Sequence, residues 1–338
     1  ASIDGEALGT VLAQAKEAAI PVIAYDRLIM NSDAVSYYAT FDNWDVGVKQ
    51  GTYIAEALDL ANAGDKTYNI EFITGDPGDN NINFFFDGAM SILTPYLESG
   101  VLVCPSGQTE KQVVATANWA SDAAQARFEN ILGTYYADGT QLDAVLCSND
   151  STAYGVENAL AASYTGAYPV ITGQDCDVAN TINMAKGLQS MSVFKDTRTL
   201  AAKVVEMVDA IMKGTEPPVN DTETYDNGTG VIPSYLCEPV ACTPDMIQER
   251  LIDSGYDTAE QLGLDEVAAA PAEEVAPQLI GVAMPTKDLQ RWIQDGENMK
   301  AQLEAAGYEV DLQYAANDIQ TQVSQIENMI ANGCEALV

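Results

Sequence analysis

Residues 279–292, LIGVAMPTKDLQRW, carry the reading that decides the fold. The first six, Leu279–Met284, are an unbroken apolar run of strand length, and Pro285 stops it. A short polar loop then runs into a helix, which is how a parallel α/β unit opens. The preceding stretch 267–277, VAAAPAEEVAP, has a period of neither two nor 3.6 and reads as a linker. Residues 334–338 (CEALV) have a buried-strand pattern with no turn after it, whereas residues 1–5 (ASIDG) are a loop leading into a helix with no strand before it. Joined in that order, CEALV and ASIDGEALGTVLAQA make one strand–loop–helix unit. The chain therefore reads as a circular permutant whose natural order begins near Gln278, an arrangement tolerated when natural ends lie close together at the surface.

Taken in that order, strand and helix alternate throughout. A helix over 289–306, a strand over 308–315 and a helix over 319–331 come first, the last with Ile319, Val323, Ile326 and Ile330 on one face. The strand at 334–338 leads to a helix over 5–19 and strands at 21–26 and 35–41. Asp42-Asn43 is a natural passage into a second lobe, with strands at 68–74, 101–104, 143–147, 170–173 and 191–194. A helix over 197–212 and a strand near 230–233 return to the first lobe, and a helix near 244–255 closes the second. Near-continuous apolar strands separated by helices predict parallel sheets covered on both faces. Lobe I is then 278–338 with 1–42 and 196–233, lobe II is 43–195 with 234–264, and 265–277 is the linker.

Composition excludes several functions. Fifteen basic against fifty acidic residues give a net charge of −35, which is wrong for nucleic acid or an anionic membrane surface and reads as a solubilising coat. No apolar run approaches the ~18 residues of a membrane span. Histidine is absent, removing the commonest general base and a favoured metal ligand. The six cysteines include no C-x-x-C pair, so no metal site is expected. Cys104, Cys147 and Cys334 fall in or beside apolar strand runs and read as buried thiols. Cys237 and Cys242 flank Pro239 and can bridge only if the chain turns back between them, the minority alternative to free thiols. No phosphate-cradling G-x-x-x-x-G-K-[ST], no G-x-G-x-x-G after the first strand and no G-x-S-x-G elbow occurs, and 220–228 (NDTETYDNG) lacks EF-hand spacing. Neither a cofactor nor catalysis is expected.

Open α/β sheets bind ligands beyond the carboxyl ends of their strands. Those ends carry Lys287, Arg291 and Trp292; Asp26 and Arg27 (AYDR); Asp76, Asp79, Asn80 and Asn81 (GDPGDNN) followed by the phenylalanines 84–86; Asn118 and Trp119; Asn149 and Asp150 (CSND); Gln174 and Asp175 (GQD); and Lys195 and Asp196 (FKD). Such a set suits a polyhydroxylated ligand. Each hydroxyl can be held between an accepting carboxylate and a donating Arg, Lys or amide, and an indole covers the apolar face of a pyranose. Taken singly, each has a plainer reading: Asp26-Arg27 as a salt bridge, GDPGDNN as a turn and helix cap, the tryptophans as core, Lys195-Asp196 as a cap for the helix at 197. Their common position at one edge of two sheets favours the binding reading.

The strings AYDRLIMNSDAVSYYATFDN, MPTKDLQRWIQDG, DNNINFFFDGAMS, ITGQDCD, VFKDTR and VNDTETYDNGTGVIPSYL closely resemble bacterial periplasmic monosaccharide-binding proteins of ABC importers, the multiple-sugar and xylose-binding branch. The resemblance covers nearly the whole chain once it is rotated to start near Gln278. It implies a type I clamp, circularly permuted: two Rossmann-like lobes, a three-strand hinge and one sugar in the cleft. It also implies ligand contacts from Lys287, Arg291, Trp292, Asp26 and Arg27 on one lobe, from Asp79, Asn81, Trp119, Asn149 and Asp175 on the other, and from Lys195 at the crossing, with Phe84 as a further candidate. The expected partners are a pyranose such as xylose, glucose, galactose or arabinose, and an ABC permease. A monomer is expected, in the periplasm or as a cell-surface lipoprotein, with no membrane insertion of its own. Coupling to a chemoreceptor or other signalling partner is the alternative, and a sugar-modifying enzyme on the same fold the remote one. The rotated order suggests engineering, as for a sensor.

Overall fold

The computed structural model describes residues 1–264 and 279–338, so the linker expected at 265–277 lies outside the described residues. The chain runs α1 (Gly9–Glu17), β1 (Val22–Tyr25), β2 (Val35–Phe41), α2 (Asn43–Ala57), β3 (Tyr68–Ile73), α3 (Asn81–Ser99) and β4 (Leu102–Val103). It continues with α4 (Ser121–Tyr135), β5 (Ala144–Cys147), α5 (Asp150–Ser163), β6 (Val170–Ile171), α6 (Val178–Ala185), β7 (Ser192–Phe194) and α7 (Thr197–Met212). The last elements are β8 (Ser234–Cys237), β9 (Val240–Cys242), β10 (Leu279–Met284), α8 (Gln290–Ala305), β11 (Glu309–Tyr314), α9 (Ile319–Ala331) and β12 (Ala336–Leu337).

Two parallel sheets result, in the orders β11-β10-β12-β1-β2-β8 and β4-β3-β5-β6, with β7 and β9 forming a separate antiparallel ribbon. The first sheet is covered on one face by α7 and α8, through Leu200, Val204, Met207, Met299 and Leu303. Its other face carries α1 and α9, through Leu8, Val11, Leu12, Ile326 and Met329. The second sheet is covered by α4 and α5 on one side and α2 and α3 on the other. Burial on both faces explains strands such as VIAY in β1, buried at every position. β12 lies between β10 and β1, where Val338 N donates to Gly281 O at 2.9 Å and Ala283 N to Val338 O at 3.0 Å. The Ala1 amine donates to Ala283 O at 3.0 Å, so both chain ends meet β10.

The chain passes between the sheets at Asp42-Asn43, at Lys195-Asp196 and at Glu238-Pro239, and Asp42 N donates to Cys237 O at 2.9 Å, which binds two of these passages together. The last passage differs from expectation. The strand expected near 230–233 is β8, in register with β2 from Tyr38↔Ser234 to Phe41↔Cys237, so 234–237 belongs to the first sheet and not the second. Pro233 has no N–H to give the ladder and contributes only its carbonyl, to Tyr38 N. Over 244–255 there is no α-helix, only the 3-10 turn Pro244–Met246 and the π-helical Gln248–Ile252. On α9 the inward face is rotated from the expected one and centres on Gln322, Ile326 and Met329. Gln322 tolerates burial because its amide donates to Ala1 O (2.8 Å) and accepts from Ile3 N (2.9 Å).

Helices α2 and α3 touch backbone to backbone. A Cβ at Gly47 would sit 2.0 Å from Phe85 O and 2.7 Å from Ala89 N. Gly47→Ala must push the helices apart, and we expect a loss of about 1–3 kcal/mol in a denaturant or thermal melt. Wild-type stability would contradict this packing.

Buried Glu157 on α5 accepts from Asn183 Nδ2 and is pushed by burial up to about 8. An unfolded glutamate ionises near its ordinary 4.5, so between the two values the folded state holds the extra proton. This contribution to stability is complete below the unfolded value and is lost as pH rises through the folded one. Glu157→Gln should therefore match wild type near the ordinary glutamate pKa and exceed it at alkaline pH by up to about 5 kcal/mol. A pH series of urea melts with a constant difference would contradict the assignment.

Candidate functional site

The carboxyl ends of the two sheets face one another across a cavity lined by Asp26, Arg27, Asp79, Asn81, Phe85, Trp119, Asn149, Ser151, Gln174, Asp175, Lys195, Leu289, Arg291 and Trp292. Asp26 and Arg27 follow β1, and Arg291 and Trp292 open α8. On the other side Asp79 precedes α3 and Asn81 opens it, Asn149 caps α5 by accepting from Thr152 N at 3.1 Å, and Asp175 follows β6. Lys195 stands at the second passage between the sheets.

Ion pairs span the cavity. Arg291 reaches Asp175 through Nη1 (2.6 Å), Asp26 through Nη2 (2.9 Å) and Asp295 through Nε. Lys195 Nζ lies 3.2 Å from Asp175 and 3.8 Å from Asp26. Arg27 Nε lies 2.8 Å from Asp79 Oδ2, while its Nη1 donates to the carbonyls of Ser2 (3.0 Å) and Ile3. Burial works to raise the Asp26 pKa, but Lys195, Arg291 and Arg27 together hold it below the ordinary carboxylate value. Burial dominates at Asp79, which is raised despite Arg27, and at Asp295, raised to about 6 despite Arg291. Burial opposes the charge on Arg291 too, yet Asp295, Asp26 and Asp175 outweigh it and raise its pKa well above the ordinary value.

Several of these groups are presented by backbone that L-residues rarely adopt: φ is +60° at Asp26, +97° at Asp175, +55° at Asn118 and +56° at Trp119. At Asp26 the conformation is held through its carbonyl, which accepts from Tyr38 Oη (2.6 Å), Asn81 Nδ2 (2.7 Å) and Thr40 Oγ1 (3.1 Å). The aromatic walls come from both sides. Trp292 lies against Arg27 and Arg291 (5.7 and 5.9 Å from cation to ring centroid), and Trp119 packs edge-on to Phe85 at 6.1 Å.

Ten of the residues expected from the sequence line this cavity, and two do not. Phe84 packs on Tyr225, ring centroids 4.8 Å apart, and its neighbour Phe85 faces the cavity instead. Successive helical residues point about 100° apart, so a one-residue uncertainty in where α3 begins decides which ring turns inward. Lys287 is exposed, its Nζ 4.7 Å over the Tyr314 ring, and Leu289 lines the cavity in its place. Asp295 and Ser151 were not anticipated. The i,i+4 spacing of Arg291 and Asp295 was a readable signal for the former.

Among the described residues no nucleophile–base pair lines the cavity, and no group of His, Cys, Asp or Glu is arranged to hold a metal. Two parallel α/β units closing on one polar, indole-lined cavity define a solute-binding clamp. The family model for a periplasmic binding protein domain matches residues 1–216 and 280–338, and the chain belongs to that family, whose members bind solutes and are not enzymes. The multiple sugar-binding periplasmic receptor ChvE of Rhizobium radiobacter is 47% identical over 266 residues, 78% of this chain and 75% of that protein. The D-xylose-binding periplasmic protein of Haemophilus influenzae is 34% identical over 259 residues, 77% and 72% of the two chains. Among solved structures, an ABC transporter solute binding protein from Clostridium phytofermentans with bound β-D-glucose is 65% identical with a TM-score of 0.76, covering 78% of this chain and 81% of that one. No helix among the described residues is long and apolar enough to cross a membrane.

Proposed function

We propose that this chain captures a single monosaccharide between its two lobes and presents the closed form, as a monomer, to the permease of an extracytoplasmic ABC importer. The observation that carries the reading is the convergence, from both sheets, of buried acceptors (Asp26, Asp79, Asp175), buried donors (Arg27, Lys195, Arg291) and two indoles on one cavity. Gln174 adds a buried Oε1 with no protein partner among the described residues, an acceptor suited to a ligand hydroxyl. The relatives bearing sugar-binding names, and the glucose in the Clostridium phytofermentans protein, support the ligand class.

The ligand would replace part of the ion-pair web, so that closure is favoured when hydroxyls satisfy groups on both lobes. We further propose that lobe I comprises the described residues of the first sheet and its helices, and lobe II those of the second with the β7–β9 ribbon. A rotated order agrees with the topology: counted from β10, five neighbouring strands of the first sheet read 2-1-3-4-5, a usual doubly wound order. The test is a thermal melt with D-glucose, D-xylose, D-galactose and L-arabinose, each beside its open-chain alditol. A saturating pyranose should add about 2.7 kcal/mol at a hundredfold excess over Kd, and the alditols almost nothing. Equal shifts from sugars and alditols, or none from either, would refute a fitted pyranose site.

A further inference from the structure

Cys176 and Cys242 meet on either side of one residue. Ser192 of β7 is the antiparallel register partner of Cys242, and its hydroxyl accepts from Cys176 N at 3.0 Å. Asp175 N donates to Val193 O at 2.9 Å, which pins the loop carrying Cys176 to the same strand. Both thiols are fully buried in one small core with Met184, Phe194, Ile247 and Leu251. Cys176 lowers the pKa of the Cys242 thiol, while burial, with Cys242 beside it, pushes Cys176 itself well above the ordinary thiol value; burial likewise raises Cys104, Cys237 and Cys334 to about 11 and Cys147 well above its ordinary value. Cys237, the partner that proximity in the chain suggests for Cys242, is instead held in the first sheet opposite Phe41.

We propose that Cys176 and Cys242 are a redox-active pair that closes to an intramolecular disulfide next to the ligand-gripping Asp175. With a small organic disulfide as oxidant, the Cys242 thiolate attacks one sulfur, forming a mixed disulfide and releasing one small thiol. The Cys176 thiolate then attacks the Cys242 sulfur and expels the second. Two protein thiols are oxidised, the small disulfide is reduced to two thiols, and the two cysteine protons leave with them. Access is through the cover over Cys242, made of a 3-10 turn and a short π-helical segment that open locally more easily than the sheet. The bridge would span the whole excursion from the β7–β9 ribbon into the first sheet and back, a long loop whose closure constrains the unfolded chain. Disulfides persist in the extracytoplasmic compartment where this family works.

The test treats the reduced full chain with 2-hydroxyethyl disulfide, then alkylates free thiols in denaturant and maps peptides without reduction. The expected result is a fall from the six free thiols to four, a Cys176–Cys242 peptide, and a melting temperature higher by roughly 5 °C. Cys176→Ser and Cys242→Ser, neither of which lines the cavity, should lose both the bridge and the shift. Should either variant fail to fold, the wild-type map decides alone. Six thiols still alkylated after exhaustive treatment, or a bridge that maps to Cys237, would overturn the proposal.

Discussion

Arg291→Ala is expected to lower sugar affinity by about 10²–10³-fold and to destabilise the ligand-free protein by about 3–5 kcal/mol. The side chain is buried, and its three donor groups reach three carboxylates, Asp26, Asp175 and Asp295, drawn from both sheets. Removing it leaves Lys195, 3.2 Å from Asp175 and 3.8 Å from Asp26, and Arg27 near Asp26 as the cations facing those carboxylates. The loss should depend on pH. Asp295 already ionises near 6 with Arg291 beside it, and without that partner its folded pKa rises further. A carboxyl raised in the folded state contributes stability that is complete below its unfolded pKa and lost as pH rises through the folded one. The deficit of the variant should thus be largest at mildly alkaline pH and shrink as the carboxyls become protonated. Arg291→Lys should fall between, because a point charge cannot engage three carboxylates in planar fork geometry. Calorimetry and melts at two pH values decide this, and an affinity within about threefold of wild type would show that Arg291 only braces the fold.

Gly75→Ala should weaken binding about thirtyfold, roughly 2 kcal/mol, while leaving the protein folded. A Cβ at Gly75 would lie 2.1 Å from Cη2 and Cζ3 of Trp119, so the indole must leave its place on the cavity wall. The backbone at Gly75 is not in the left-handed region, so alanine itself fits there. The three atoms nearest to it all belong to that ring. The double variant Gly75→Ala/Trp119→Leu separates packing from recognition: it should recover most of the melting temperature and none of the affinity. Recovery of both, or wild-type affinity in Gly75→Ala alone, would remove Trp119 from the ligand surface.

Much of this arrangement is written in strand patterns. Strands buried on both faces appear as continuous apolar runs, and the residues just after each run are placed at one sheet edge by geometry common to all parallel α/β units. Asp26-Arg27, Asp175 and Lys195 were readable for that reason. The errors arise where position depends on local turns. Phe84 and Phe85 are adjacent, and only the start of α3 decides which faces inward. Lys287 lies in a loop between β10 and α8, where no period governs direction, and it turns to Tyr314. The return strand begins at Ser234 because Pro233 cannot donate to the ladder, a constraint that an apolar pattern alone does not express. Three features had no one-residue signal: the left-handed backbone at Asp175 and Trp119, the carbonyls of Ser2 and Ile3 that hold Arg27, and the buried core that Cys176 and Cys242 share. Each depends on segments distant in the chain meeting in space.

The most direct test of the central claim is isothermal titration calorimetry of the reduced, full chain with D-glucose. The account predicts saturable heat at one sugar per chain, with a dissociation constant of about micromolar or tighter, weakened about 10²–10³-fold by Arg291→Ala. Absence of heat with D-glucose and with D-xylose, in a protein that melts cooperatively, would contradict the assignment of this cleft to a monosaccharide.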